Sequence, residues 1–241
     1  SEIYLMNMPT GSGKTLCSMK TALIRLLKEG SGKKRIIYVI PYNSIIEQTA
    51  GTFDEIFGSS AQILRHQSTF FYNEDNENEL VYKYATENWD ADLIVTTSVQ
   101  FFESLFGNKR SKLRKLHNMA NSIIVFDEAH LMPIDFLQPC LRGISFLTKY
   151  FNSEAIFLTA TMPDFKNLIT KYALENPVIT DLITDVSDFG AFDKCKFRYI
   201  GEQSDEALIE KATTFPTCLI VVNSRKGARE IYNLIPKNRI K

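Results

Sequence analysis

The chain has 241 residues, 44% of them hydrophobic and 23% charged, and its 28 Lys plus Arg are balanced by 28 Asp plus Glu. That profile excludes a disordered chain and a coat of basic charge, so any contact with nucleic acid has to be local, made by loops and backbone amides. No apolar run approaches the roughly 20 residues that a membrane-crossing helix needs, and no basic-then-apolar leader opens the sequence, so a cytoplasmic protein with no membrane partner is expected. Cys17, Cys140, Cys195 and Cys218 form no CxxC pair, which argues against zinc or a disulfide framework and reads as buried thiols in a reducing compartment. Ser1 precedes a strand with no lead-in, as in a trimmed piece of a longer protein.

Short β-rich apolar runs alternate with helical patterns, the signature of βαβ units and a doubly wound, mainly parallel sheet in an α/β fold. The expected strands are Ile3 to Met6, Ile36 to Ile40, Gln62 to Leu64, Leu93 to Thr96, Ile123 to Phe126 and Ile156 to Leu158, each continuous enough to be buried on both faces. Helices are expected over Lys14 to Lys28 and Ser44 to Phe57, with Gly30 and Gly58 placed as terminators. Asn73 to Glu79, NEDNENE, reads as a solvated loop. A helix follows near Asp164 to Leu174. Residues 1–175 form the first domain of this reading, 176–192 a linker, and 193–241 the start of a second domain, as strand, helix, strand and helix between Phe197 and Ile235.

Met8 to Thr15, MPTGSGKT, lies between a strand and a helix, the setting of a phosphate-binding loop. In this role Thr10, Gly11, Ser12 and Gly13 turn amides toward the phosphates of ATP, Lys14 reaches the β and γ phosphates, and the Thr15 hydroxyl holds Mg²⁺. Met8 stands where the strict motif has Gly. The second motif is IIVFDEAH, Ile123 to His130, whose acids emerge at the carboxyl end of a buried strand. Asp127 is expected to hold Mg²⁺, and Glu128 to orient and deprotonate the attacking water as general base. The third, LTATM, Leu158 to Met162, places Thr159 and Thr161 beside the acidic motif. Together the three indicate a helicase-type ATPase of superfamily 2, built from RecA-like P-loop domains. A GTPase, kinase or transporter ATPase lacks the third element.

The connecting segments resemble the CRISPR-associated helicase-nuclease of type I systems, over nearly the whole chain. YVIPYNSIIEQT (Tyr38 to Thr49), VTTSVQFFESLF (Val95 to Phe106) and CLIVVNSRKGAREIY (Cys218 to Tyr232) are similar to its nucleic-acid motifs and to the opening of its second RecA-like domain. The most specific match is KLHNMANSIIVFDEAHLMPIDFLQPCL, Lys115 to Leu141, where His130 stands at a position held by His or Gln in relatives and joins the catalytic set. The resemblance implies ATP-driven 3′ to 5′ movement on the single DNA strand displaced by a guide-RNA surveillance complex. Pro41, Asn43, Thr96, Thr97, Gln100 and Asn223 sit just beyond strand ends, where they can grip phosphates; capping a helix or turn is the rival role for each.

The basic run Lys109 to Lys115, KRSKLRK, reads as a solvated helical face, with a DNA-backbone contact as the alternative. His66 and His117 have no metal-ligand company and read as structural, and Phe70, Phe71 and Tyr72 as inward-packing aromatics. With three histidines and no His-Asp pair, the chain cannot hold the family's HD nuclease, which is expected as a fused or separate partner. The arginine that completes the ATPase site in relatives, worth about 10³ to 10⁵ in rate, is not found before Lys241, so weak hydrolysis is expected of this piece. An RNA or repair helicase and a nucleotide-gated binding module without turnover are the competing readings.

Overall fold

The computed structural model describes residues 2–66, 84–160, 164–192 and 196–236. Thr161, Cys195, the aromatic trio Phe70 to Tyr72 and the acidic segment Asn73 to Glu79 lie outside the described residues. Two compact units divide the chain, Ser1–Asp193 and Lys194–Lys241.

The first unit is built on seven strands: β1 (Glu2–Asn7), β2 (Arg35–Ile40), β3 (Ile63–His66), β4 (Leu93–Thr97), β5 (Ser122–Phe126), β6 (Glu154–Thr159) and β7 (Val178–Asp181). They pair in the order β3-β4-β2-β5-β6-β1-β7, and every pair is parallel. Alternation along each strand feeds two cores, one per face. Ile3, Leu5, Ile124, Phe126, Ala155 and Phe157 point to one, whereas Tyr4, Met6, Ile123, Val125, Ile156 and Leu158 point to the other. Helices Lys14–Leu26 and Ile46–Phe57 cover the second face, and Ser98–Phe106, Leu137–Tyr150 and Phe165–Tyr172 contribute to the first. Burial on both faces explains why the strands read as continuous apolar runs. Gly143 lets the Leu137–Tyr150 helix approach Ser98–Phe106 closely, since a Cβ there would come within 2.7 Å of the Phe106 ring.

Three expectations need correction. The stretch 176–192 is not a bare linker, because Val178–Asp181 joins the sheet as β7, in parallel register with β1. Its short, mostly exposed sequence VITD carries no buried apolar run to announce it. Cys140 is buried, which pushes its thiol up to about 11, but Cys17 and Cys218 are exposed; Cys17 lies on the outward side of a helix whose buried residues are Ser18, Met19 and Ala22. In the second unit the expected helices form, Asp205–Thr213 and Arg225–Leu234, capped by Ser204 and Ser224. The expected strands near 197–200 and 218–222 pair with nothing among the described residues. Phe197, Tyr199, Leu219 and Val221 are all more than 80% exposed there, and a strand exists only through a partner for its N–H and C=O groups.

Phe157 is fully buried, with its ring stacked on Phe126 at 5.3 Å and tilted against Phe165 at 5.5 Å. Phe157→Ala is expected to cost about 3–5 kcal/mol of first-unit stability. The single tryptophan, Trp89, is itself buried in this unit, so its fluorescence during denaturant unfolding reports the loss directly. A change below about 1 kcal/mol would contradict the tight aromatic packing.

Candidate active site

Three neighbouring strands, β1, β6 and β5, deliver the three motifs to one edge of the sheet. In register, Asn7 lies beside Thr159 and Phe126 beside Phe157, so the loop after β1, the end of β6 and the acids after β5 stand side by side. Open α/β sheets place their ligands at this carboxyl edge.

The loop is shaped by Gly11 and Gly13, at φ 83° and 81°, left-handed values that glycine adopts without Cβ strain. Between them the Ser12 hydroxyl donates to the Pro9 carbonyl at 2.7 Å and closes the turn. Thr10, Gly11 and Gly13 are exposed, and Lys14 and Thr15 are half-buried at the helix start. Met8, directly after β1, stands where the strict motif has glycine: its N–H donates to the Thr159 carbonyl at 3.1 Å and its side chain enters the core.

Lys14 Nζ donates to Glu128 Oε1 at 2.7 Å. Glu128 sits at φ 48°, a left-handed conformation uncommon outside glycine, and this turns its carboxylate back toward the loop. His130 Nδ1 lies 2.7 Å from the Thr159 hydroxyl and 3.4 Å from Glu128 Oε2. Lys14, Glu128, His130 and Thr159 thus form one connected polar chain across the ends of β1, β5 and β6. Asp127 is half-buried, and burial, then the neighbouring Glu128 charge, raises its carboxyl above the ordinary value. Its Oδ1 accepts the Glu128 N–H at 2.9 Å, and its Oδ2 accepts the Tyr38 hydroxyl at 3.3 Å. No group of three or more His, Cys, Asp or Glu that could enclose a metal occurs among the described residues. The oxygen donors of Asp127 and Thr15 suit Mg²⁺, a hard cation held by one or two protein ligands plus phosphate and water, and a cation would also relieve the cost of the buried carboxylate.

The nucleic-acid candidates divide. Pro41 is half-buried and Asn43 exposed beyond β2. Thr96, Thr97 and Gln100 are at most 8% exposed and already engaged. The Thr96 hydroxyl donates to the His66 carbonyl, the Thr97 hydroxyl accepts the Gln100 N–H as helix cap, and Gln100 Oε1 accepts from Lys112. Helix capping therefore wins for Thr97, and the Ser98 hydroxyl donates to the Ile40 carbonyl at 3.3 Å. Asn223 is exposed in the second unit. What the edge does present is Tyr42, 58% exposed, and Val99, 60% exposed. Each lies two residues past the last register pair of β2 and β4, Ile40 with Thr97. Exposed apolar side chains at strand ends are the signal that a search for polar residues passed over.

The basic run is likewise not uniformly solvated. Lys115 is 5% exposed, its Nζ 3.3 Å from His66 Nε2 and above the Trp89 ring, and burial, then Lys112, lowers its amine to about 8. His66 Nδ1 accepts from Trp89 Nε1 at 3.2 Å, and burial with the Lys115 and Lys112 charges lowers its pKa to about 3. The unfolded chain therefore takes up this proton first, at about pH 6.5. Stability is complete above that pH and drains as pH falls toward 3, by up to about 1.4 kcal/mol per pH unit. His66→Gln is expected to flatten the dependence in Trp89-monitored unfolding between pH 7.5 and 5; equal slopes in the two proteins would contradict it.

Residues 2–168 match the family profile of the DEAD/DEAH box helicases. Over 180 residues, 67% of the chain, it is 31% identical to the CRISPR-associated nuclease/helicase Cas3 of Haloferax volcanii, and the match spans 19% of that relative's length. In fold it is similar to the Mycobacterium smegmatis helicase Lhr, solved bound to ssDNA and AMP-PNP, with a TM-score of 0.56 and 15% identity over 96% of this chain and 31% of that one. It is also similar to the DUF1998 helicase MrfA, solved bound to DNA and AMPPNP, with a TM-score of 0.51 and 19% identity over 75% of this chain and 25% of that one. With its motifs in order on a RecA-like parallel sheet, the chain belongs to the DEAD/DEAH box helicase family.

Proposed function

We propose that this chain is the nucleotide-binding helicase portion of a type I CRISPR interference enzyme, moving along single-stranded DNA opened by a guide-RNA surveillance complex. The observation that carries the nucleotide part is the 2.7 Å contact between Lys14 and Glu128, which brings loop and acid together where a terminal phosphate would lie. The CRISPR part rests on the 31% identity to Cas3 and the motif resemblance between Lys115 and Leu141. In this reading the second unit opens a second RecA-like domain, the HD nuclease is supplied elsewhere, and the setting is the prokaryotic cytoplasm.

Lys14 leaves Glu128 for the β and γ phosphates, and the amides of Thr10, Gly11, Ser12 and Gly13 cradle them. Thr15 and Asp127 hold Mg²⁺, which when bound offsets charge on the phosphates. Released from Lys14, Glu128 orients the attacking water and accepts its proton. His130 passes the position of Glu128 to Thr159 at the end of β6. Beyond β2 and β4, Pro41, Asn43, Tyr42 and Val99 face the nucleic acid, the first two at phosphates and Tyr42 under a base; Asn223 adds a contact from the second unit. Thr96, Thr97 and Gln100 support this edge from beneath.

Glu128→Gln is expected to lower kcat by about 10²- to 10⁴-fold without weakening ATP binding, because Lys14 loses a competing partner. Unchanged turnover would contradict the assignment of the base. In the complete protein, single-stranded DNA is expected to stimulate hydrolysis more than RNA of the same sequence, and Tyr42→Ala to weaken DNA binding by about 1–3 kcal/mol, the worth of one base stacked on an aromatic ring. Preferential stimulation by RNA would favour the RNA-helicase reading.

A further inference from the structure

We propose that Tyr38 is a positioning residue for Asp127, orienting its carboxylate and tying it to Thr15; the inference rests on the reading of this edge as a magnesium–ATP site. Tyr38 lies mid-strand in β2, whose sequence RIIYVI is otherwise aliphatic on this face, and it has no solvent exposure. Its ring meets Phe53 edge-on at 5.1 Å. A phenol so placed is costly unless its oxygen is partnered, and an aliphatic side chain would fill the same layer without that demand. The oxygen is well partnered. It lies 3.3 Å from Asp127 Oδ2 and 3.0 Å from Ser18 Oγ.

The direction of these bonds follows from charge. An ionised carboxylate only accepts, and it is a stronger acceptor than a hydroxyl, so the phenol proton goes to Asp127 and the single Ser18 proton is shared between the Thr15 carbonyl and the phenol oxygen. A phenol is protonated at neutral pH, so Tyr38 is a donor there. Rotation about the carboxylate's last torsion is soft. The Glu128 N–H on Oδ1 and the Tyr38 hydroxyl on Oδ2 together fix that plane and leave lone pairs on both oxygens for a cation or its water. The Ser18 hydroxyl is also within 3.0 Å of the Thr15 carbonyl, in the first turn of the helix. The buried oxygen is therefore linked directly to the Asp127 carboxylate and, through Ser18, to the backbone of Thr15, from a strand that carries neither.

The test is ATP affinity of Tyr38→Phe and the unsubstituted chain, each measured with excess Mg²⁺ and with EDTA, beside thermal melts. Tyr38→Phe keeps the ring against Phe53. It is expected to match the unsubstituted chain in EDTA and to lose about 5-fold or more of the affinity gained with Mg²⁺. Ser18→Ala, which leaves the phenol in place, is expected to lose a smaller part of the same gain, and it carries the test if Tyr38→Phe melts early. A role in packing alone would weaken binding equally with and without the metal, and that result, or a full Mg²⁺ gain in both variants, overturns the proposal. If the unsubstituted chain gains nothing from Mg²⁺, the magnesium–ATP reading fails, and the role of Tyr38 with it.

Discussion

A carboxylate at the end of a strand buried on both faces is the constraint around which this site is organised. Ile123, Ile124, Val125 and Phe126 are almost wholly shielded from water, and they carry Asp127 to a place where its charge is poorly solvated. Such a group has to be given donors, a cation, or a proton. Here it receives the Glu128 N–H and the Tyr38 hydroxyl, with the Lys14 charge close enough to favour its ionised form. Strand order makes this possible, because only β6 separates the strand before Lys14 from the strand before Asp127.

The same order divides the edge of the sheet by chemistry. β1, β6 and β5 end in the loop, Thr159 and the acids, whereas β2 and β4 end in Pro41, Tyr42, Asn43 and Val99. The two groups meet where β2 pairs with β5. There the Val39 carbonyl accepts the Asp127 N–H at 2.8 Å and Tyr38 holds the carboxylate. Asp127 is thus in direct contact with the strand that leads to Tyr42. Under the proposed function, this contact is the shortest route by which the nucleotide and nucleic-acid residues would be coupled, made of hydrogen bonds and a tightly packed strand.

Much of this was legible from residue order. Continuous apolar runs announced the buried strands, and the glycines and acids marked the candidate site, since those features need only local pattern. What depended on tertiary partners was not. Thr96, Thr97 and Gln100 are the right residue types in the right place, yet their hydroxyls and amide are spent on His66, a helix cap and Lys112. Lys115 looked like one more member of a charged run and is instead packed over Trp89 beside His66. β7 lacked an apolar core face to reveal it, and Tyr38, hidden inside an aliphatic strand, shows its importance only when Ser18 and Asp127 are brought to its oxygen. The segments around Phe197 and Leu219, unpaired among the described residues, make the same point in reverse: a strand-like sequence needs a neighbour before it is a strand.

The central claim is that Lys14 and Glu128 touch across the place a terminal phosphate takes. Zero-length carbodiimide cross-linking read by mass spectrometry measures that contact directly. A Lys14–Glu128 amide should form readily in the nucleotide-free protein and be suppressed by saturating ATP with Mg²⁺. Absence of that cross-link without nucleotide, or its persistence when ATP is bound, would contradict the account.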